Sequence, residues 1–229
     1  MTAPPRSSSA SEVVATSDLA ARLRAIPAPR PMLSRDDLHR LTERQQEILA
    51  QLGTLFRDGF ADLTMSVIAS QLNCSLRTLY GLAPSRDELV LTVVDRHLWR
   101  VGREAMAAIE PDMAPLDAIR SYLSAATMAV SGTTEAYSRD LAAMPAARRR
   151  NGDHGDYVIA VTRTLLDAAV ERGDIADVDT AAVARTLAHL GQDFIQPEVI
   201  VTLRTSPKVA ADAVVDIILR GLAAPRSAS

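Results

Sequence analysis

The chain has 229 residues, 48% of them hydrophobic and 23% charged, enough to bury a core without disulfides or bound metal. That composition excludes a disordered chain, and 10 glycines without a period of three exclude a collagen-like one. A net charge of -3 argues against non-specific coating of nucleic acid or of anionic membrane, yet leaves room for a local basic surface.

Residues 1–37 read as a flexible tail. Ser7-Ser8-Ser9, Pro4-Pro5 and the alternating Pro27, Pro29 and Pro31 discourage regular packing. Between Leu19 and Arg35 lie Arg22, Arg24, Arg30 and Arg35 with no acid. Two readings stand for this stretch: a solvated linker with a short helix near Asp18–Ile26, or an arm adding phosphate or minor-groove contacts.

From residue 41 the hydrophobic period is helical. Thr42 and Gln45 form a capping-box pattern, followed by the stripe Ile48, Leu49, Leu52, Leu55 and Phe56 and a left-handed stop at Gly59. Thr64 caps a short second helix carrying Ile68, Ala69 and Leu72. Asn73 interrupts it, and Ser75 caps a third helix over Leu76–Leu82. Pro84-Ser85 breaks the chain again, and Ser85 with Glu88 opens a long helix to about Ile109, whose buried face takes in Leu89, Val93, Val94, His97 or Leu98, and Val101. Further helices are expected near 115–131, 134–148, 153–172, 179–195 and 207–222, broken at Ser131-Gly132, Asn151-Gly152, Gly173, Pro197 and Pro207. The last two carry wide apolar stripes: Val183, Leu187, Leu190 and Phe194, then Val209, Val214, Ile217, Ile218 and Leu222. A buried core helix and a subunit interface would both give such stripes.

The stretch Thr64–Leu89 carries the chemistry. With Met65 as the first of twenty helix-turn-helix positions, the fifth is the small Ala69 and the ninth is Asn73, which tolerates positive φ. Ile68, Leu72, Cys74, Leu79 and Leu82 fall inward, leaving Ser75, Arg77, Thr78 and Tyr80 to donate to base edges and phosphates. Together with Ile48, Leu52, Phe56, Gly59 and the run Ser85-Arg86-Asp87-Glu88-Leu89, these residues resemble a TetR-type (tetracycline-repressor-family) transcriptional regulator over about residues 42–95. The pattern departs from the family at Asn73, where a glycine is usual, at Leu82-Ala83, where a His-Phe pair is usual, and at Arg86, where lysine is usual.

The resemblance implies an all-α protein with an N-terminal three-helix helix-turn-helix DNA-binding domain (38–84) and a C-terminal helical ligand-binding and dimerisation domain (85–225). It implies phosphate contacts from Thr64, Tyr80 and Arg86, and a backbone or base contact from Thr78. Arg77 is the best base-reading candidate, since arginine pairs bidentately with guanine, and Leu76 can touch a thymine methyl. Helices near 179–195 and 207–222 would form a homodimer, and operator DNA would be palindromic. Residues 115–175 and part of the preceding helix would enclose a cavity for a small-molecule effector, with Trp99, Met106, Tyr122, Met128, Tyr137, Met144, Tyr157 and Arg163 as candidate liners; a packed core explains the same residue types. The expected function is a ligand-responsive repressor released from DNA by a small molecule. The rivals are an effector-independent DNA-binding regulator, an enzyme of the all-helical class, for which the sequence offers no cluster of ionisable groups, and a helical interaction protein.

Other constellations are sparse. His39, His97, His154 and His189 show no metal-ligand spacing, and Asp153-His154 with Asp156 reads as a solvated turn. No Gly-rich phosphate loop or nucleophile elbow occurs, so neither a cofactor, a metal nor an enzyme is expected. Arg148-Arg149-Arg150 reads as the end of a helix, where the dipole favours positive charge. Lys208 is the one lysine among 25 basic residues, a bias that reads as genome composition. Aromatics at 3% disfavour a stacking platform for single strands. No charge-free run exceeds the 14 residues of Ser121–Thr134, fewer than the about 20 residues of a spanning helix. With no secretory signal pattern and the lone Cys74, a soluble cytoplasmic protein without membrane partners is expected.

Overall fold

A computed structural model of the chain describes residues 18–130, 134–194 and 196–223, which fold almost wholly as helices. They are α1 (18–25), α2 (Arg35–Arg40), α3 (Glu43–Leu55), α4 (Met65–Gln71), α5 (Leu76–Tyr80), α6 (Arg86–Ala107), α7 (Pro115–Val130), α8 (Glu135–Ala143), α9 (Pro145–Glu171), α10 (Thr180–Asp193), α11 (Pro197–Ile200) and α12 (Pro207–Leu222). A single 3-10 turn, Phe56–Asp58, continues α3. The architecture is all-α, with an N-terminal helix-turn-helix head and a C-terminal helical body, as the sequence leads one to expect. Among the described residues no helix is long and apolar enough to cross a membrane.

Local chemistry sets the helix starts. Thr42 and Gln45 form the reciprocal capping box that opens α3, and Ser34 with Asp37 forms another that opens α2. Thr64, Ser75 and Ser85 each accept the backbone N–H three residues on, at Val67, Thr78 and Glu88. Asn73 takes φ 47, the left-handed turn expected of it.

Two cores result. The head core gathers Ile48, Leu52, Phe56, Ile68 and Leu79 with Leu89, Val90, Val93 and Val94 from the first half of α6. The body core gathers Ile119 and Tyr122 of α7, Leu165 and Leu166 of α9, Leu187 of α10 and Leu219 of α12, with Ala105 from the last turn of α6. Helix α6 therefore belongs to both cores. Helix α8 reaches back to the head: its Tyr137 stacks edge-on to Phe60 at 5.7 Å between ring centroids, and Leu141 packs on the same cluster.

Three expectations need correction. Residues 18–37 do not form a free tail: Leu23 of α1 is buried in the body core, and Arg22 pairs with Glu171 at 2.6 Å. Residues 1–17 lie outside the described residues, as does the expected break at Ser131-Gly132. Asn151-Gly152 is not a break, because α9 starts at Pro145, whose fixed φ suits a first turn, and runs through both residues. An interior glycine costs about 1 kcal/mol, and the buried stripe Val161, Leu165, Leu166 and Ala169 outweighs it. Arg148-Arg149-Arg150 consequently sits near the start of α9, at the dipole end that disfavours cations. In α12 the inward face is Ala211, Val215 and Leu219, while Val209 and the 66% exposed Ile217 of the expected apolar stripe point outward.

Gly59 stops the 3-10 turn with φ 101, and an added Cβ would meet Asp140 Oδ2 at 3.0 Å and Ala136 Cβ at 3.2 Å. Gly59→Ala is expected to lower stability by about 2 kcal/mol, combining left-handed strain with overpacking. Urea denaturation checks this; an unchanged midpoint would show that the 59–63 loop yields.

Candidate nucleic-acid interface

The turn between α4 and α5 is built so that one face of each helix is fixed and the other is free. Ile68 and Leu79 are fully buried, the buried Ala69 supplies the small contact, and Cys74 N–H donates to Ala69 O at 2.9 Å. Arg44 of α3 donates to Leu72 O and Asn73 O, both at 3.2 Å, bracing the turn from outside. Nothing in the sequence pattern singles out Arg44, since its partners lie 28 and 29 residues away.

What remains exposed is a small polar and apolar surface. The Arg77 side chain is exposed with no hydrogen bond or ion pair among the described residues, and that of Tyr80, a 53% exposed residue, is likewise free. Leu76 is 42% exposed beside them, and Val67 of α4, which sequence reasoning passed over, is 39% exposed. Val67 sits off the Ile68–Leu72 stripe, which is the signal that places it outward. Thr64 is exposed at the start of α4. The Ser75 and Thr78 hydroxyls lie 2.9 Å apart and Ser75 Oγ accepts Thr78 N–H at 3.1 Å, so both are held at the start of α5.

Arg86 is differently placed. Its Nε donates to Leu63 O at 3.0 Å, its Nη2 donates to Phe60 O and to Ala61 O, and its Nη1 pairs with Asp87. The guanidinium thus clamps the loop ahead of Thr64. Asp140 of α8 holds the same loop by its amides, accepting Phe60 N–H at 2.6 Å and Ala61 N–H at 2.8 Å. Leu82 and Ala83, the departures from the family pattern, are both buried in the head core, so Leu82 fills apolar space there.

The eight residues expected to line an effector cavity are not brought together. Tyr122 is fully buried in the body core, Met106 and Tyr157 pack around it, and Met144 packs on the head core. Burial raises the Tyr122 and Tyr157 phenols above their ordinary value. Arg163 is exposed on α9 within 3.8 Å of Asp167. Only Trp99, Met128 and Tyr137 line the large cleft, which measures about 1030 Å³ and lies between α3, the strap ahead of α2, and α6. This cleft is therefore at the joint of head and body rather than inside 115–175, because the body core is filled by Tyr122, Ile119 and Leu165. Burial pushes the Tyr137 phenol up to about 12.

Asp95 stands at one end of the cleft, 1% exposed. It accepts Met32 N–H at 2.9 Å, and Arg150 Nε and His154 Nε2 lie 3.5 Å and 3.6 Å from its other oxygen. Arg150 also donates to Arg30 O at 2.8 Å, so the strap is tied to α6 and α9 together. His154, read as part of a solvated turn, is instead packed edge-on to Trp99 at 5.8 Å. Among the described residues no group of His, Cys, Asp and Glu could hold a metal ion.

A helix-turn-helix head joined to a helical body by a shared long helix defines a class of all-α folds. More particularly, the fold is that of the TetR-type transcriptional regulators. The chain superposes on a TetR transcription regulator from Haloarcula marismortui with a TM-score of 0.67, 19% identity, and coverage of 80% of this chain and 100% of that one. It superposes on reduced NemR of E. coli with a TM-score of 0.64 and 17% identity, covering 80% and 100% of the two chains. A TetR-family regulator from Rhodococcus sp. gives 0.64 and 15%, covering 79% and 99%. No protein-family model and no curated protein matches the sequence.

Proposed function

We propose that this protein is a ligand-responsive transcriptional regulator, a repressor, that binds palindromic operator DNA as a homodimer. The observation that carries the reading is the free, exposed pair Arg77 and Tyr80 on α5, a helix whose opposite face is anchored by the fully buried Leu79. Arg77 reads a base edge, Tyr80 and Thr64 bind phosphates, and Leu76 and Val67 offer apolar contact to thymine methyls. The fold shared with TetR-type regulators supports it. One such head covers only about 600–1,000 Å² of DNA, so two copies are needed for a specific site. The exposed Val209 and Ile217 of α12 and the 82% exposed Val201 before it give the dimer an apolar surface to bury. Effector release follows from differential affinity of the ligand for two dimer states.

The test is fluorescence-anisotropy binding to DNA flanking the protein's own gene over a series of salt concentrations. Tight binding should fall steeply with salt and survive competitor DNA. Arg77→Ala is expected to weaken it roughly tenfold or more, matching the ~1–3 kcal/mol of a bidentate base contact, and to relax sequence preference. Tyr80→Ala should weaken all sequences evenly. Equal weak binding by parent and both variants, here and on genome-wide fragments, would leave the head without an operator.

A further inference from the structure

We infer that the cleft between α3 and α6 binds an amphiphilic organic anion, an apolar chain or ring system carrying a carboxylate or phosphate head. Arg96, Arg100 and Arg103 follow one another at i, i+4 and i+7 along α6, which puts all three on one face of the helix, and all three line the cleft. Arg57, from the 3-10 turn after α3, joins them from the opposite wall. Of the lining acids, Glu104 is taken up by Arg100 at 2.9 Å, and Asp95 faces Arg150 and His154. Arg57, Arg96 and Arg103 therefore have no acidic partner among the described residues. Unpaired guanidinium groups side by side repel one another, and an anion with two oxygens relieves that repulsion while making bidentate hydrogen bonds.

The surroundings agree with this reading. Arg96 is only partly exposed, and burial followed by the nearby Arg103 charge lowers its pKa from the ordinary arginine value. Burial also lowers the His97 pKa, with Arg100 and then Arg57 pushing the same way, so positive charge converges here from both walls. Phe56, Val93 and Trp99 give the cleft apolar walls against which a hydrocarbon or ring packs. A DNA backbone is the other polyanion such a row could meet, but phosphodiesters gain nothing from apolar walls. The row also begins 10 residues beyond Arg86, about 15 Å along α6 from the end beside the helix-turn-helix. The role of effector site for such a ligand rests on the regulator proposed above; the binding itself does not.

Trp99 is the only tryptophan of the chain and lines the cleft, so its fluorescence reports occupancy directly. The full-length protein is titrated, without DNA, with submicellar decanoate, decyl phosphate, decanol and decyltrimethylammonium. Saturable change with either oxyanion, at least tenfold tighter than with the alcohol or the cation, is the expected result. Arg96→Gln/Arg103→Gln is expected to lose that preference by tenfold or more, with circular dichroism and melting unchanged. Arg163→Gln, on the exposed face of α9, should bind as the parent does. Equal affinity for alcohol and anion, no saturable binding by any probe, or a folded double variant with undiminished anion affinity would each overturn the proposal. So would a double variant that loses affinity for duplex DNA while keeping decanoate. Because the titration contains no DNA, failure here and failure of operator binding are separate results.

Discussion

Asp140→Ala is expected to destabilise the protein by about 3–5 kcal/mol, measured by urea denaturation. A single carboxylate oxygen accepts two backbone amides, Phe60 N–H at 2.6 Å and Ala61 N–H at 2.8 Å, in a site where Asp140 is only 7% exposed. Hydrogen bonds to a charged group contribute roughly 1.5–3 kcal/mol each, and removing the acceptor strands the buried Phe60 N–H, while Ala61 N–H is part-exposed. Arg139 adds little, at 3.8 Å and largely exposed. Asp140→Asn keeps an oxygen without its charge and should lose about half as much. The loop concerned leads directly into Thr64, so Asp140→Ala should also weaken DNA affinity beyond what its lower stability accounts for at saturating folded fraction. A loss below about 1 kcal/mol would mean that water replaces the carboxylate, and that α8 does not hold the head.

Asp95→Ala is expected to cost about 2–4 kcal/mol and to free the strap ahead of α2. Breaking a buried ion pair by removing one member costs ~3–5 kcal/mol, and the lower figure allows for Arg150, whose side chain remains 24% exposed. Met32 N–H loses its acceptor at the same time. Chymotrypsin should then cut after Met32 or Leu33 faster in the variant than in the parent under native conditions, because Met32 N–H loses its acceptor and the Arg150 bond to Arg30 O loses its anchor. Asp95→Asn, which can still accept Met32 N–H, should restore much of the protection. Cleavage at the parent rate would show that the burial of Leu23 and the Arg22–Glu171 pair, not Asp95, holds the strap.

The sequence showed the head better than the joint. Ile48, Leu52 and Phe56 at helical spacing, the Thr42 capping box and the tolerance of Asn73 for positive φ are local signals, and the structure follows them. The body helices are legible as periods but not as boundaries, since Asn151-Gly152 looks like a stop and Pro145 does not stand out as a start. Packing of the long α9 stripe overrides local glycine cost, and no window of a few residues contains that information. Asp95 interrupts an apolar run, a visible oddity, but its partners Met32, Arg150 and His154 come from distant positions. The cleft was hidden for a related reason. Its arginines look like a solvated helix face until Arg57 and Phe56 of another element are set opposite them.

Helix α6 contributes Leu89 and Val93 to one core and Ala105 to the other, with about 33 Å between its ends over 22 residues. Neither core can come apart without stripping a wall from the other, so the two halves melt as one cooperative unit. The same helix is one rigid spoke: Leu89 and Val93 pack with Ile68 of α4 and Leu79 of α5, so the orientation of those two helices is set by where the packing of Ala105 fixes the far end of α6.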